Sequence, residues 1–175
     1  MPTVATRAHI WFVYERFEQL RALLERWGWD IVERGDLSKW DETRHRDPVL
    51  GMVRIRGRRA WPLGGDVSFT IKEWWGDPPL DGPERRQGYV LAGYHYTAQS
   101  ARRQIRHCYD VIRHPDAPFH VHPHGDEEIR PEPPITAEQA LERFEQQLAE
   151  ELYEEEPIES DEEDTSDVIF GEQNA

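Results

Sequence analysis

Residues 50–75 read LGMVRIRGRRAWPLGGDVSFTIKEWW, two alternating runs around one turn, and their reading decides the fold. In Leu50–Arg58, Val53 and Ile55 alternate with Arg54, Arg56 and Arg58, the pattern of a strand with one apolar and one basic face. Trp61–Asp66 holds Pro62 and the Gly64-Gly65-Asp66 turn signal, which predicts a hairpin into the next strand. In Val67–Trp75 the residues Val67, Phe69 and Ile71 share a face, and Glu73 and Trp75 continue it. A carboxylate in phase with apolar neighbours is costly to bury unless it is paired or protonated, so Glu73 is a candidate site residue.

Outward from this hairpin the chain gives a second one. Gly76–Gly88 is a Pro/Gly/Asp loop, and Tyr89–Thr97 and Gln104–Ile112 then make two strands around Ala98–Arg103. On the first of these, His95 is expected on one face with Tyr89 and Leu91, and Tyr94 and Tyr96 on the other. On the second, His107 and Tyr109 oppose Arg106 and Asp110. Both faces carry polar groups, so alternation alone does not say which is the core. Sequential hairpins are the commonest way to join such strands, and a four-stranded antiparallel meander is expected.

A helix is predicted at each end. Ile10, Val13, Phe17, Leu20, Leu24 and Trp27 recur at intervals of 3, 4, 3, 4 and 3, one apolar stripe on a 3.6-residue period, and Gly28 fits the position just past its end. The stripe suits an ordinary packing face, and its spacing also fits a partner helix or a homodimer. Trp29–Pro48 reads as a connector with little regular structure. Pro115–Pro134 reads as neither strand nor helix, because it contains six prolines. Thr136 opens the last helix, with Gln139 completing a capping box and Ala140, Leu141, Phe144, Leu148 and Leu152 supplying an apolar face.

The expected architecture is therefore α+β. Residues 1–48 form the N-terminal amphipathic helix and connector, 49–153 the antiparallel sheet domain with the C-terminal helix, and 154–175 an acidic disordered tail.

Charge separates along the chain. Residues 126–175 hold 19 of the 35 acidic residues and only Arg130 and Arg143 of the 21 basic ones, so this region carries a net −17 and the preceding 125 residues a net +3. A mildly basic body thus carries an acidic appendage. One cysteine excludes an intrachain disulfide framework. No apolar run approaches a membrane span and no signal peptide follows Met1, so a soluble cytoplasmic protein without membrane contact is expected.

Five of the eight histidines lie between His107 and His124, with the cysteine, Cys108, among them. In an extended segment residues two apart point the same way, so His120 and His122 can share one divalent metal ion, with Asp110, His114 or His124 completing the set. A metal-free reading is acid–base chemistry, in which one histidine removes a proton, another returns it, and Arg106 or Arg113 stabilises negative charge. A third is structural, imidazoles anchoring a proline-rich loop. Cys108, flanked by strand residues, reads as a buried filler. Arg54, Arg56 and Arg58, with Arg59, line one polar strand face of the kind a phosphate backbone requires.

The order of these motifs resembles the TumE-like toxin family, small proteins encoded beside a helix-turn-helix antitoxin. The resemblance rests on R-I-R-G-R (Arg54–Arg58), the Gly-Gly-Asp turn, F-x-I-x-E-W (Phe69–Trp74), G-Y-H-Y (Gly93–Tyr96) and C-Y-D (Cys108–Asp110). His114-Pro115, F-H-V-H-P-H (Phe119–His124) and a T-x-E-Q-A-L helix complete it, over about residues 50–152. It implies that Asp110, His114, His120, His122 and His124 fill the family's acidic and histidine positions, with Glu73 on its strand acid. This chain has Val111 where the family has Asn, Pro123 where it has Lys, and one histidine of a pair before Pro115.

The expectation is a toxin acting on RNA or translation, ribonuclease-like. Its catalytic set would be Asp110, His114, His120, His122, Arg106 and Glu73, with Arg54, Arg56, Arg58 and Arg113 on the nucleic acid. The competing expectations are a non-enzymatic module that binds a helix-turn-helix regulator, and a metal-binding hydrolase.

Overall fold

The computed structural model describes residues 7–34, 49–76 and 89–155. Its elements are α1 (Arg7–Arg26), β1 (Asp30–Arg34), β2 (Val49–Ala60), β3 (Asp66–Gly76), β4 (Val90–Gln99), β5 (Gln104–Tyr109), β6 (Phe119–His122), β7 (Arg130–Pro131) and α2 (Ala137–Glu155). The fold is α+β, and the strands lie in one antiparallel sheet in chain order.

The two hairpins form, although in the second β4 runs on to Gln99 rather than Thr97 and β5 stops at Tyr109 rather than Ile112, where Asp110 begins a turn. β2 and β3 pair down to Ala60↔Asp66, and Gly64 and Gly65 close the turn at φ values of +101° and +78°, which side chains with a Cβ rarely adopt. β4 and β5 pair down to Gln99↔Gln104, closed by Ser100, whose Oγ accepts from the backbone N–H of Arg102 and Arg103.

Among the described residues the sheet has seven strands rather than four. β1 lies in what reads as a connector. It is five charged-and-apolar residues long, and its identity as a strand comes from pairing with β2. β6 and β7 lie in the proline-rich segment expected to be irregular. Pro118 and Pro123 bracket Phe119–His122 without interrupting it, and Pro131 sits on the outermost strand, where a missing N–H is tolerated. The rest of the connector (35–48), most of the loop after β3 (77–88) and the acidic tail from 156 lie outside the described residues; Glu154 and Glu155 continue α2.

Both helices pack on one face of the sheet. That face carries Val53 and Ile55 of β2, Val67, Phe69 and Ile71 of β3, Tyr94, Tyr96 and Ala98 of β4 and Ile105 of β5, all buried. α1 covers it with Val13, Phe17, Leu20 and Leu24, and α2 with Ala137, Ala140, Leu141, Phe144 and Leu148. Gly51 lets α1 approach β2 closely, since a Cβ there would lie 2.7 Å from Val13 Cγ2, and Gly57 makes room for the turn after α1, where a Cβ would lie 3.0 Å from Trp29 Cβ.

α1 ends as its sequence predicts. Gly28, at φ +77°, donates to Glu25 O, and Trp29 donates to Leu24 O, the paired bonds of a Schellman end. α2 begins with a reciprocal capping box: Thr136 N donates to Gln139 Oε1 at 2.9 Å, and Gln139 N to Thr136 Oγ1 at 3.1 Å. Among the described residues no helix is long and apolar enough to cross a membrane.

β4 carries a bulge that alternation does not foresee. The register jumps from Trp74↔Gly93 to Trp75↔Leu91, leaving Ala92 unpaired. Leu91 therefore joins the helix-covered core, and Tyr89 packs on Phe12 of α1 at 4.4 Å, while His95 faces the other way. The expectation that His95 shares a face with Tyr89 and Leu91 is overturned by that single extra residue.

Candidate histidine and cysteine site

The face of the sheet turned away from α1 and α2 carries Cys108, His120 and His122. Strand register aligns two rows across it. One runs Arg54–Lys72–His95–Cys108–His120, and the other Arg56–Thr70–Thr97–Arg106–His122. At about 4.8 Å per strand, each row spans about 19 Å. The arginines of β2 thus lie at one end of a polar track and the histidines of β6 at the other.

At the histidine end the side chains converge. The rings of His120 and His122 lie 5.0 Å apart, and His114 stands edge-on to His120 at 4.4 Å and 6.3 Å from His122. Cys108, directly opposite His120 in register, completes a group: ligand atoms of Cys108, His120 and His122 all lie within 4.8 Å of one another. His120 is 1% exposed, Cys108 2% and His122 5%, whereas His114 is only half-buried. His114 is the most solvent-accessible imidazole of this group.

The protonation states follow from burial. His120 has a lowered pKa, chiefly because burial disfavours the imidazolium, with His114 adding to the effect and the hydrogen bond to Ala117 opposing it. His120 Nδ1 lies 2.9 Å from the Ala117 carbonyl, which only accepts, so Nδ1 carries the proton and Nε2 the lone pair. His122 is lowered for the same main reason, assisted by Arg106 and His120. Burial pushes the Cys108 thiol up to about 12, against the opposing pull of Arg106. Burial thus favours the neutral form of both His120 and His122.

Asp110 sets the loop that holds His114. Its Oδ1 accepts from the backbone N–H of Ile112 (3.1 Å) and Arg113 (3.0 Å), and its own N–H donates to Pro118 O. His114 N then donates to Asp110 O, and Ala117 N to His114 O, closing the turn that lays His114 against His120. Asp110 thus organises the turn that carries His114. Arg113, largely exposed, has its Nε 3.9 Å from Asp110 Oδ2. His124, beyond Pro123, is exposed and outside the cluster.

The basic residues divide between the faces. Arg56 and Arg58 line an open groove with Ser68, Gln99 and Ser100. Arg58 pairs with Asp66, and Arg106 with Asp126. The Nε atoms of Arg56 and Arg106 are buried without a hydrogen-bond partner among the described residues. Arg59 is on the helix side, stacked on Trp29 at 4.6 Å and bonded to Glu145, and so leaves the arginine ladder.

Glu73 is also on the helix side, so the sheet separates it from the histidines. It is fully buried and accepts four hydrogen bonds: two from Arg16, one from Trp75 Nε1 and one from the Tyr96 hydroxyl. These satisfy the carboxylate where it stands, and it does not join the site expected of it. His107 likewise faces the helices, where its Nδ1 lies 2.7 Å from Glu132.

The structure thus brings together Asp110, His114, His120, His122 and Arg106, leaves Glu73 and His124 out, and adds Cys108. The only sequence signal for Cys108 was a thiol on the strand preceding an H-x-H run, and it becomes legible once that run is a paired strand. No family model, curated protein or solved structure matches the chain. What fold and site define is a helix-backed antiparallel sheet with a histidine–cysteine cluster at one end of a basic face.

Proposed function

We propose that this chain is the toxin half of a toxin–antitoxin pair, that it acts on RNA with the sheet face opposite its helices, and that its partner is a helix-turn-helix protein. The observation that carries the reading is the common face: the strand register puts Arg54, Arg56, Lys72 and Arg106 on the same side as His114, His120 and His122. A phosphate backbone held by charge on Arg54, Arg56 and Lys72 runs along the same face to the histidine end.

There the half-buried His114 is the group for proton transfer to or from the reacting ribose or leaving oxygen. Arg106 offsets the negative charge that develops on the phosphate. His120 and His122 stand behind His114 and fix its position, and Asp110 holds its loop.

The test is inducible expression of the wild type beside His114→Ala and an Arg56→Ala/Lys72→Ala pair, following growth and total RNA together. Growth arrest with RNA loss in the wild type, relieved in both variants, supports the reading. Arrest with intact RNA, or undiminished RNA loss in His114→Ala, overturns it.

A further inference from the structure

We propose that Cys108, His120 and His122 hold a zinc-type metal ion, with water as the fourth ligand. The inference stands on these side chains and does not need the nucleic-acid reading.

Three observations carry it. First, the ligand atoms already converge within 4.8 Å from two directly paired strands, β5 and β6. Zinc bonds of about 2.0–2.3 Å place tetrahedral ligands roughly 3.5 Å apart, so the side chains need to close by only about 1 Å. Second, His122 Nδ1 is a buried ring nitrogen with no hydrogen-bond partner among the described residues, on a residue 5% exposed. Such an atom is costly unless something satisfies it, and a cation does. Third, His120 Nδ1 is anchored on the Ala117 carbonyl, which leaves Nε2 for an ion. A backbone carbonyl behind a ligating histidine is the usual support for a metal-bound imidazole.

One thiolate with two imidazoles is a donor set for a borderline-soft ion rather than magnesium or calcium. On binding, Cys108 releases its thiol proton to solvent as the sulfur–metal bond forms, while the two neutral histidines donate lone pairs without further proton loss. His114, 4.4 Å from the His120 ring, lies beside the group and is not one of its converging ligand atoms, so water takes the fourth position.

The experiment is a titration of chelator-treated full-length protein with Co²⁺, a spectroscopic substitute for Zn²⁺, followed by back-titration with Zn²⁺. The expected result is one equivalent bound, with visible bands of a four-coordinate ion and a thiolate-to-cobalt charge-transfer band, both abolished by Zn²⁺. Cys108→Ser removes the charge-transfer band and weakens binding at least tenfold, His122→Ala weakens it comparably, and His124→Ala changes nothing. Wild-type protein with no stoichiometric binding, or with no charge-transfer band, overturns the proposal whether or not the variants fold. An undiminished band in Cys108→Ser overturns it equally.

Discussion

Arg16 on α1 and Glu73 on β3, 57 residues apart, are joined by two parallel hydrogen bonds of 2.9 Å each. The carboxylate has no solvent exposure and the guanidinium is one-quarter exposed, so the pair pins the helix to the sheet from beneath. Removing the cation leaves a buried carboxylate with Tyr96 and Trp75 as its donors among the described residues. Arg16→Met is expected to destabilise the fold by about 3 kcal/mol in chemical denaturation. It leaves Co²⁺ binding by the folded protein unchanged, because the sheet lies between. Loss of activity at full stability in Glu73→Gln would return Glu73 to the chemistry.

The seat of α1 is testable at Gly51. A methyl there meets Val13 Cγ2 at 2.7 Å, and Val13 is β-branched with little rotamer freedom to yield. Gly51→Ala is expected to cost about 1–3 kcal/mol. Adding Val13→Ala opens space for the methyl, so the double variant loses less than the two single losses together. Additive losses in a thermodynamic cycle would place the helix elsewhere.

How far the sequence carried this picture depended on where each signal lay. Both hairpins, both helices and their caps were legible because Gly64-Gly65, Gly28 and Thr136 are local devices. β1 and β6 were not, since a short strand in charged or proline-flanked text is defined by its partner. The same gap hid the site. Alternation on β5 could not say that Cys108 faces His120, because the pairing that sets them opposite belongs to β6. Burial of Glu73 was legible from its phase, but Arg16, which makes that burial tolerable, lies in a different element.

The basic rows predict a salt-dependent RNA affinity. Each lost phosphate contact lowers the slope of log K against log salt by about 0.7 for a single strand. Arg56→Ala and Lys72→Ala are each expected to weaken binding of an unstructured RNA and to flatten the slope by that amount. Arg26→Ala, on α1 and paired with Glu138 of α2, leaves both unchanged. Equal effects from Arg26→Ala and Arg56→Ala in a filter-binding series would remove the sheet face from the argument.

Stability of the chelator-treated protein should fall on acidification. His120 and His122 are held neutral by burial, and their pKa values lie below the ordinary 6.5. The groups facing them are Arg106 and His114, which disfavour further positive charge, and Asp110 and Asp126, which oppose that. The unfolded chain takes up protons as pH drops through about 6.5, while the folded chain resists until its lower pKa is reached. The contribution is complete above pH 6.5, declines as pH falls through the window beneath it, and is gone below the folded pKa. Each unit of lowering is about 1.4 kcal/mol. Melting temperatures between pH 7.5 and 5 are expected to decline, and a His120→Gln/His122→Gln pair to flatten that decline whatever its starting stability. A slope that survives both substitutions would assign the acid sensitivity to other groups.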